Sequence, residues 1–141
     1  MAGLMMAGRP VVLLHGLART EASLLAMDAA LSARGFRVIN VSYPSTKLAV
    51  RDLAESFVSP AVTECGTDRI SFVTHSMGGI LVRQYLAHHQ VDNLGRVVML
   101  GPPNKGSEVV DNLRDIPGFR FFHGDAGLEL GTGEASVPNK L

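Results

Sequence analysis

Two short stretches of the sequence place a polar side chain and glycine where a strand pattern stops. Residues 70–79 (ISFVTHSMGG) change from apolar β-forming residues to a helical pattern at Ser76, and residues 11–16 (VVLLHG) end in His15 and Gly16. A serine hydroxyl becomes an effective nucleophile when a base lies beside it and N–H groups stabilise the oxyanion at the attacked carbonyl. A tight strand-to-helix turn suits that chemistry, because it exposes the hydroxyl at the positive end of a helix. The pattern therefore predicts a nucleophile elbow at Ser76.

The residues around Ser76 fit the G-x-S-x-G pattern of such elbows with one departure. Gly78 allows the turn to pack closely, whereas Thr74 stands where a smaller residue is usual. His75 precedes the serine, and we expect its side chain to point away from the nucleophile. The alternative, a serine that only caps a helix, leaves the glycines and the upstream His-Gly pair without a role.

The rest of the pattern alternates strands with helices. We expect strands at residues 11–14, 36–43, 70–74 and 96–100, and helices after Thr20, from about Val50 until Pro60 kinks or ends it, and from Met77 to about His89. This cadence predicts a parallel sheet with right-handed crossovers and strands buried on both faces. The fold class is α/β, as one three-layer α/β/α domain over residues 1–141 with a short, mostly parallel sheet of about four strands. Residues 1–9 and the C-terminal tail are expected to be irregular.

Composition excludes several classes of function. Thirteen basic and thirteen acidic residues give no net charge, so nucleic acid is not an expected partner. The single cysteine, Cys65, rules out an internal disulfide and a cysteine-based zinc site, and we expect neither metal nor cofactor. The sequence has no apolar segment long enough to span a membrane and no basic leader, so we expect a soluble, cytoplasmic protein without stable membrane insertion.

Three motifs in this order, VVLLHGLA, VTHSMGG and VVMLGPPNKGS, resemble those of the α/β-hydrolase superfamily, especially bacterial lipases and esterases, over residues 10–125. The resemblance implies a truncated hydrolase core that cleaves small acyl esters or lipids through an acyl-enzyme on Ser76. It also implies that the backbone N–H groups of Leu17 and Met77 form the oxyanion hole. His15 and Gly16 would support the loop that carries Leu17.

The general base and its acid have no motif-matched positions, because the family order is serine, acid, histidine, and the resemblance implies that the strands carrying the last two are absent from this sequence. His88 and His89 lie about 18 Å along the helix from Ser76 and are too distant. The remaining candidates are His123 as base and Asp111, Asp115 and Asp125 as acid, although residues of these types are more often solvated on the surface. Two alternatives stay open: an inactive remnant that serves as a binding or oligomerising module, and an N-terminal fragment that needs the missing strands.

Truncation also predicts how the chain associates. Without later strands, residues 96–100 (RVVML) form an apolar edge strand, and exposed edges pair readily with other chains. We therefore expect a homo-oligomer formed through this edge.

Overall fold

The computed structural model describes residues 8–102, which form a four-stranded, all-parallel sheet with helices on both faces. The strand order is β2-β1-β3-β4. The strands are β1 (Pro10–Leu14), β2 (Arg37–Val41), β3 (Ile70–His75) and β4 (Leu94–Leu100). This is the three-layer α/β architecture expected for the core of a hydrolase. The central strand β1 pairs with both β2 and β3, with Val12 opposite Ile39 on one side and Phe72 on the other.

The helices follow the strands in the expected alternation. Thr20 caps a 3-10 turn, Glu21–Leu24, that leads into α1 (Leu25–Ala33), and Gly35 with φ +87° turns the chain back into β2. The next connection contains α2 (Val50–Leu53), a π-helical turn (Ala54–Val58) and α3 (Ser59–Glu64), and α4 (Met77–His88) follows β3.

Of the two outcomes expected at Pro60, a kink or an end, the helix of the second connection does not end there but is distorted in the turn before it. The chain continues helically to Glu64, because the wide π-helical turn comes first and the Ser59 N–H donates to the Ala54 carbonyl five residues earlier. Pro60 then stands in the first turn of α3, where its missing N–H needs no acceptor.

Strand β2 is shorter than the expected 36–43. Phe36 precedes it, and Tyr43 lies beyond its end, where the ring turns inward to stack on His15. Burial on both faces, expected for every strand, holds in full only for β1. The reason is position: within residues 8–102, β2 and β4 are the outer strands, and Val98 on β4 is 47% exposed.

The core is divided by the sheet. Val12, Leu14 and Phe72 face the larger cluster, which α2, α3 and α4 complete. Val11 and Leu13 face α1 on the other side. The connections that leave β1 and β3 therefore diverge to opposite faces, and such a switch in direction opens a crevice at the carboxyl ends of the two strands.

Candidate active site

Ser76 occupies the turn between β3 and α4 with φ 51° and ψ −117°. A positive φ is unfavourable for a residue with a side chain and costs about 1–3 kcal/mol, so surrounding contacts must hold it. The Ser76 N–H donates to the Leu100 carbonyl at 2.9 Å, and the Gly79 N–H donates to the Ser76 carbonyl at 3.1 Å. The turn is thus tied to the end of β4 on one side and to the first turn of α4 on the other.

Two glycines bring the loop after β1 against this turn. A Cβ placed on Gly78 would lie 2.4 Å from the Leu14 carbonyl oxygen, so α4 begins directly on the end of β1. A Cβ on Gly16 would lie 2.9 Å from Nδ1 of His75 and 3.4 Å from Cβ of Ser76. The two motifs found separately in the sequence therefore meet at one place, the crevice between β1 and β3.

Thr74, the departure from the usual elbow pattern, is accommodated beneath the turn. Its side chain is fully buried, and its Oγ1 has no partner within residues 8–102. A Cβ on Gly79 would lie only 3.2 Å from that oxygen. Gly79 therefore leaves the space that the larger Thr74 side chain uses.

The backbone at the crevice presents two N–H groups. Met77 is the first residue of α4, and the first N–H groups of a helix have no acceptor within the helix. Leu17 lies in a turn that the Arg19 N–H closes by donating to the Gly16 carbonyl at 3.2 Å. Neither the Leu17 nor the Met77 N–H has an acceptor in the described part of the chain. Both can therefore donate to an oxygen of a bound molecule.

His15 is fully buried beneath this loop. Its Nδ1 lies 2.8 Å from the Gly16 carbonyl oxygen, and its Nε2 lies 3.4 Å from the Tyr43 N–H nitrogen. Since a carbonyl only accepts and a backbone N–H only donates, the contacts assign a neutral ring with its proton on Nδ1. Burial lowers the pKa of His15, although the Gly16 contact and Glu21 oppose this. Both ring nitrogens are engaged, which leaves His15 unsuited to act as the base.

The other histidines of the described region fall into two groups. His75 is exposed, with its ring beside Gly16. His88 and His89 lie at the far end of α4, where Nε2 of His89 is 2.7 Å from a Glu55 carboxylate oxygen. The remaining candidates for base and acid lie outside residues 8–102, namely His123, Asp111, Asp115 and Asp125.

Two contributors to the site were not found from the sequence. Tyr43 and Ser45 follow β2, and both side chains are buried against the loop after β1. Their position directly after a strand could have identified them as site residues, because the carboxyl ends of neighbouring parallel strands lie at the same edge of the sheet.

Residues 8–102 contain no group of three or more His, Cys, Asp or Glu side chains placed to hold a metal ion. In the same range, every helix is too short or too polar to cross a membrane.

Comparison with known proteins gives consistent results. A family model described as the alpha/beta hydrolase family matches residues 11–138. Among solved structures, a lipase from Bacillus licheniformis in its mature form aligns with a TM-score of 0.68 at 25% identity, covering 91% of this chain. A phospholipase from Legionella pneumophila aligns over 87% of this chain at 22% identity, with a TM-score of 0.66. An esterase from Exiguobacterium antarcticum aligns over 95% at 18% identity, with a TM-score of 0.65.

These proteins are longer than the present chain. The chain covers 56% of the Bacillus lipase, 32% of the Legionella phospholipase and 64% of the Exiguobacterium esterase. The chain therefore spans about half the length of the lipase.

Proposed function

The chain belongs to the α/β-hydrolase family, and from this premise we propose that it is a serine-dependent carboxylic ester hydrolase of the esterase or lipase type. The observation that carries the proposal is the turn at Ser76, with its positive φ and the close approach of Gly16. A positive φ costs free energy at a residue that has a side chain. Backbone strain of this kind is concentrated at functional sites. The proposed substrates are small, uncharged acyl esters or lipids.

The proposed reaction proceeds through an acyl-enzyme. The Ser76 oxygen attacks the ester carbonyl carbon while a general base takes the hydroxyl proton. The Leu17 and Met77 N–H groups, together with the positive end of α4, stabilise the oxyanion. Collapse of this intermediate breaks the bond to the alkoxy group, which leaves as the alcohol with the proton returned by the base. Water then adds to the acyl group, and the acid is released with the Ser76 hydroxyl restored.

We propose His123 as the general base, with Asp111, Asp115 or Asp125 as its acid partner. The contacts of two histidines in residues 8–102 support this choice, because they remove two alternatives. His15 uses both ring nitrogens in the loop, and His89 is bound to Glu55 at the far end of α4. Triads occur with different orders along the chain, so a histidine after the aspartates is compatible with the chemistry.

Hydrolysis of p-nitrophenyl acetate and butyrate by the purified chain tests the function. We expect turnover that Ser76→Ala abolishes, together with labelling of Ser76 by a fluorophosphonate probe. Ser71→Ala is a suitable control, because Ser71 lies on the same strand near its other end and its hydroxyl accepts only the Arg96 N–H in the described region. A folded chain without turnover or labelling would contradict the proposal and favour one of the two alternatives, a binding or oligomerising module or a fragment that needs further strands.

The same assays test the base. His123→Ala should lower turnover by about 100-fold or more, because a general base contributes about 10²–10⁴-fold. The circular dichroism spectrum and melting temperature should stay unchanged. Full activity of this variant would dismiss His123 and leave the Ser76 proposal standing.

A further inference from the structure

The turn that carries Leu17 is itself held in an unfavourable conformation. Ala18, the next residue, has φ +54°, which a residue with a Cβ rarely adopts. The Arg19 N–H closes the turn on the Gly16 carbonyl, but this contact leaves the orientation of the peptide groups at Leu17 and Ala18 to other interactions. Something outside the loop must therefore select this conformation.

Ser45 supplies the missing contact. Its Oγ accepts the Ala18 N–H at 2.9 Å, and the side chain is 3% exposed, so water competes little for this bond. The segment that carries Ser45 is itself ordered: the Ser45 N–H donates to the Tyr43 carbonyl at 3.0 Å, and the Lys47 N–H donates to the Pro44 carbonyl at 3.0 Å. Ser45, held in place after β2, thus accepts a hydrogen bond from Ala18, the residue with positive φ after β1.

Tyr43 joins the same two segments. Its hydroxyl donates to the His15 carbonyl, and its ring stacks on the His15 ring with centroids 3.9 Å apart. The loop after β1 is therefore held before Gly16 by Tyr43 and after Leu17 by Ser45. The short stretch between them carries the Leu17 N–H, which has no acceptor in the described part of the chain.

We propose that Ser45 is a positioning residue for ester hydrolysis: its hydroxyl accepts the Ala18 N–H and so fixes the Leu17–Ala18 peptide, which limits rotation of the adjacent Gly16–Leu17 peptide whose N–H is directed at the oxyanion. This inference rests on the proposed function, since it assigns a task to Ser45 only if Ser76 is acylated. It follows that the left-handed conformation of Ala18 helps to orient the adjacent Leu17 N–H. An oxyanion donor acts mainly in the transition state, so Ser45 should affect kcat more than KM.

The test compares Ser45→Ala, Ser45→Thr and Ser71→Ala in the full chain. The matched control Ser71→Ala also deletes a serine hydroxyl that accepts a backbone N–H from a neighbouring segment. Ser71, however, lies near the amino end of β3, away from the Ser76 turn. For butyrate ester hydrolysis we expect Ser45→Ala to lower kcat about tenfold, less than outright loss of a donor, with KM within about twofold. Ser45→Thr keeps the hydroxyl and should recover most of kcat, and Ser71→Ala should match the parent chain.

Active-site titration with the fluorophosphonate separates positioning from folding. A purely structural role would reduce the fraction of chains that label, whereas the proposal expects full labelling at about a tenfold lower rate. Amide hydrogen exchange should also show faster exchange of the Ala18 N–H in Ser45→Ala than in Ser45→Thr. Unchanged kcat and labelling rate in Ser45→Ala, with an active parent chain, would overturn the inference alone. An inactive and unlabelled parent chain would overturn the proposed function and this inference with it.

Discussion

At the scale of single residues, the candidate site depends on a few buried polar contacts rather than on a cluster of charges. His15 illustrates this, since its ring accepts from one backbone group, donates to another and stacks on Tyr43 without being exposed. A neutral imidazole satisfies both contacts, whereas a protonated ring would place a second donor against the Tyr43 N–H. The loop after β1 is therefore compatible with only one protonation state of His15.

This dependence predicts a loss of stability in mild acid. Burial holds the folded-state pKa of His15 below its ordinary value of 6.5, so the unfolded chain binds more protons as pH falls through 6.5. The free energy of unfolding should then decrease, by at most about 1.4 kcal/mol per pH unit, until the pH reaches the folded pKa. Urea unfolding at about pH 7.5 and about pH 5.5 measures the change.

His15→Asn isolates this contribution from the other histidines. The variant should be less stable at neutral pH but should lose less stability on acidification than the parent chain. Glu21, whose pKa is lowered mainly by a hydrogen bond from Ser42, affects stability only nearer its ordinary value of 4.5 and does not interfere. Equal pH dependence in both chains would show that His15 is not the group responsible.

At the scale of secondary-structure elements, the elbow is a contact between the start of α4 and the ends of β1 and β4. The approach to β1 is the tighter one, because Gly78 faces the backbone of Leu14 rather than a side chain that could move. The approach beneath the turn is looser, because Gly79 faces only the side chains of Thr74 and Met99. Two adjacent glycines in one helix therefore carry different packing constraints.

Alanine substitution at each glycine should reveal this difference. In Gly78→Ala the new Cβ would lie 2.4 Å from the Leu14 oxygen, which forces α4 away from β1. We expect a loss of about 1–3 kcal/mol and slower labelling of Ser76. In Gly79→Ala the Cβ would lie 3.2 Å from Thr74 Oγ1, and the gain in helix propensity, up to about 1 kcal/mol, offsets this contact. Chemical denaturation of both variants measures their free energies of unfolding. Equal losses in the two variants would contradict the prediction.

At the scale of the whole molecule, β4 is an outer strand of the sheet that residues 8–102 form. Its apolar side chains alternate in exposure, with Val98 at 47% and Leu100 at 39%. Within residues 8–102, β4 has no strand partner on its outer side, and Leu94–Leu100 contains one charged residue, Arg96, but none of the lysine or proline that commonly protects natural edges. We propose that the chain forms homo-oligomers through this strand.

Val98→Lys should therefore reduce self-association, because a charged side chain on the edge disfavours a second strand. The control is Leu25→Lys on α1, which removes a side chain that is 56% exposed but lies away from β4. Light scattering and sedimentation at high concentration should show oligomers for the parent chain and the control, and a smaller species for Val98→Lys. A monomeric parent chain would contradict the proposal.

Much of the fold follows from local pattern. Apolar runs bounded by Gly35, Pro44 and Gly66 predicted the four strands and their order along the chain, and the placement of glycine after Ser76 predicted the strand-to-helix turn. These features depend on residues close together in sequence, which act through backbone preference and side-chain period. The differences from expectation lie at element ends and in burial, since β2, β3 and β4 are not fully buried on both faces, and a π-helical turn before Pro60 allows that helix to continue.

What the tertiary structure decided is the meeting of distant segments. The order β2-β1-β3-β4 places Ser45 and Tyr43 beside a loop some 27 residues earlier, and puts Gly16 against Ser76 across 60 positions of sequence. No local pattern encodes such contacts, because they depend on which strands pair and on the divergence of connections from β1 and β3. The sequence by itself thus determined the type of fold and predicted Ser76 as the nucleophile, while strand pairing decided what surrounds and positions the Ser76 turn.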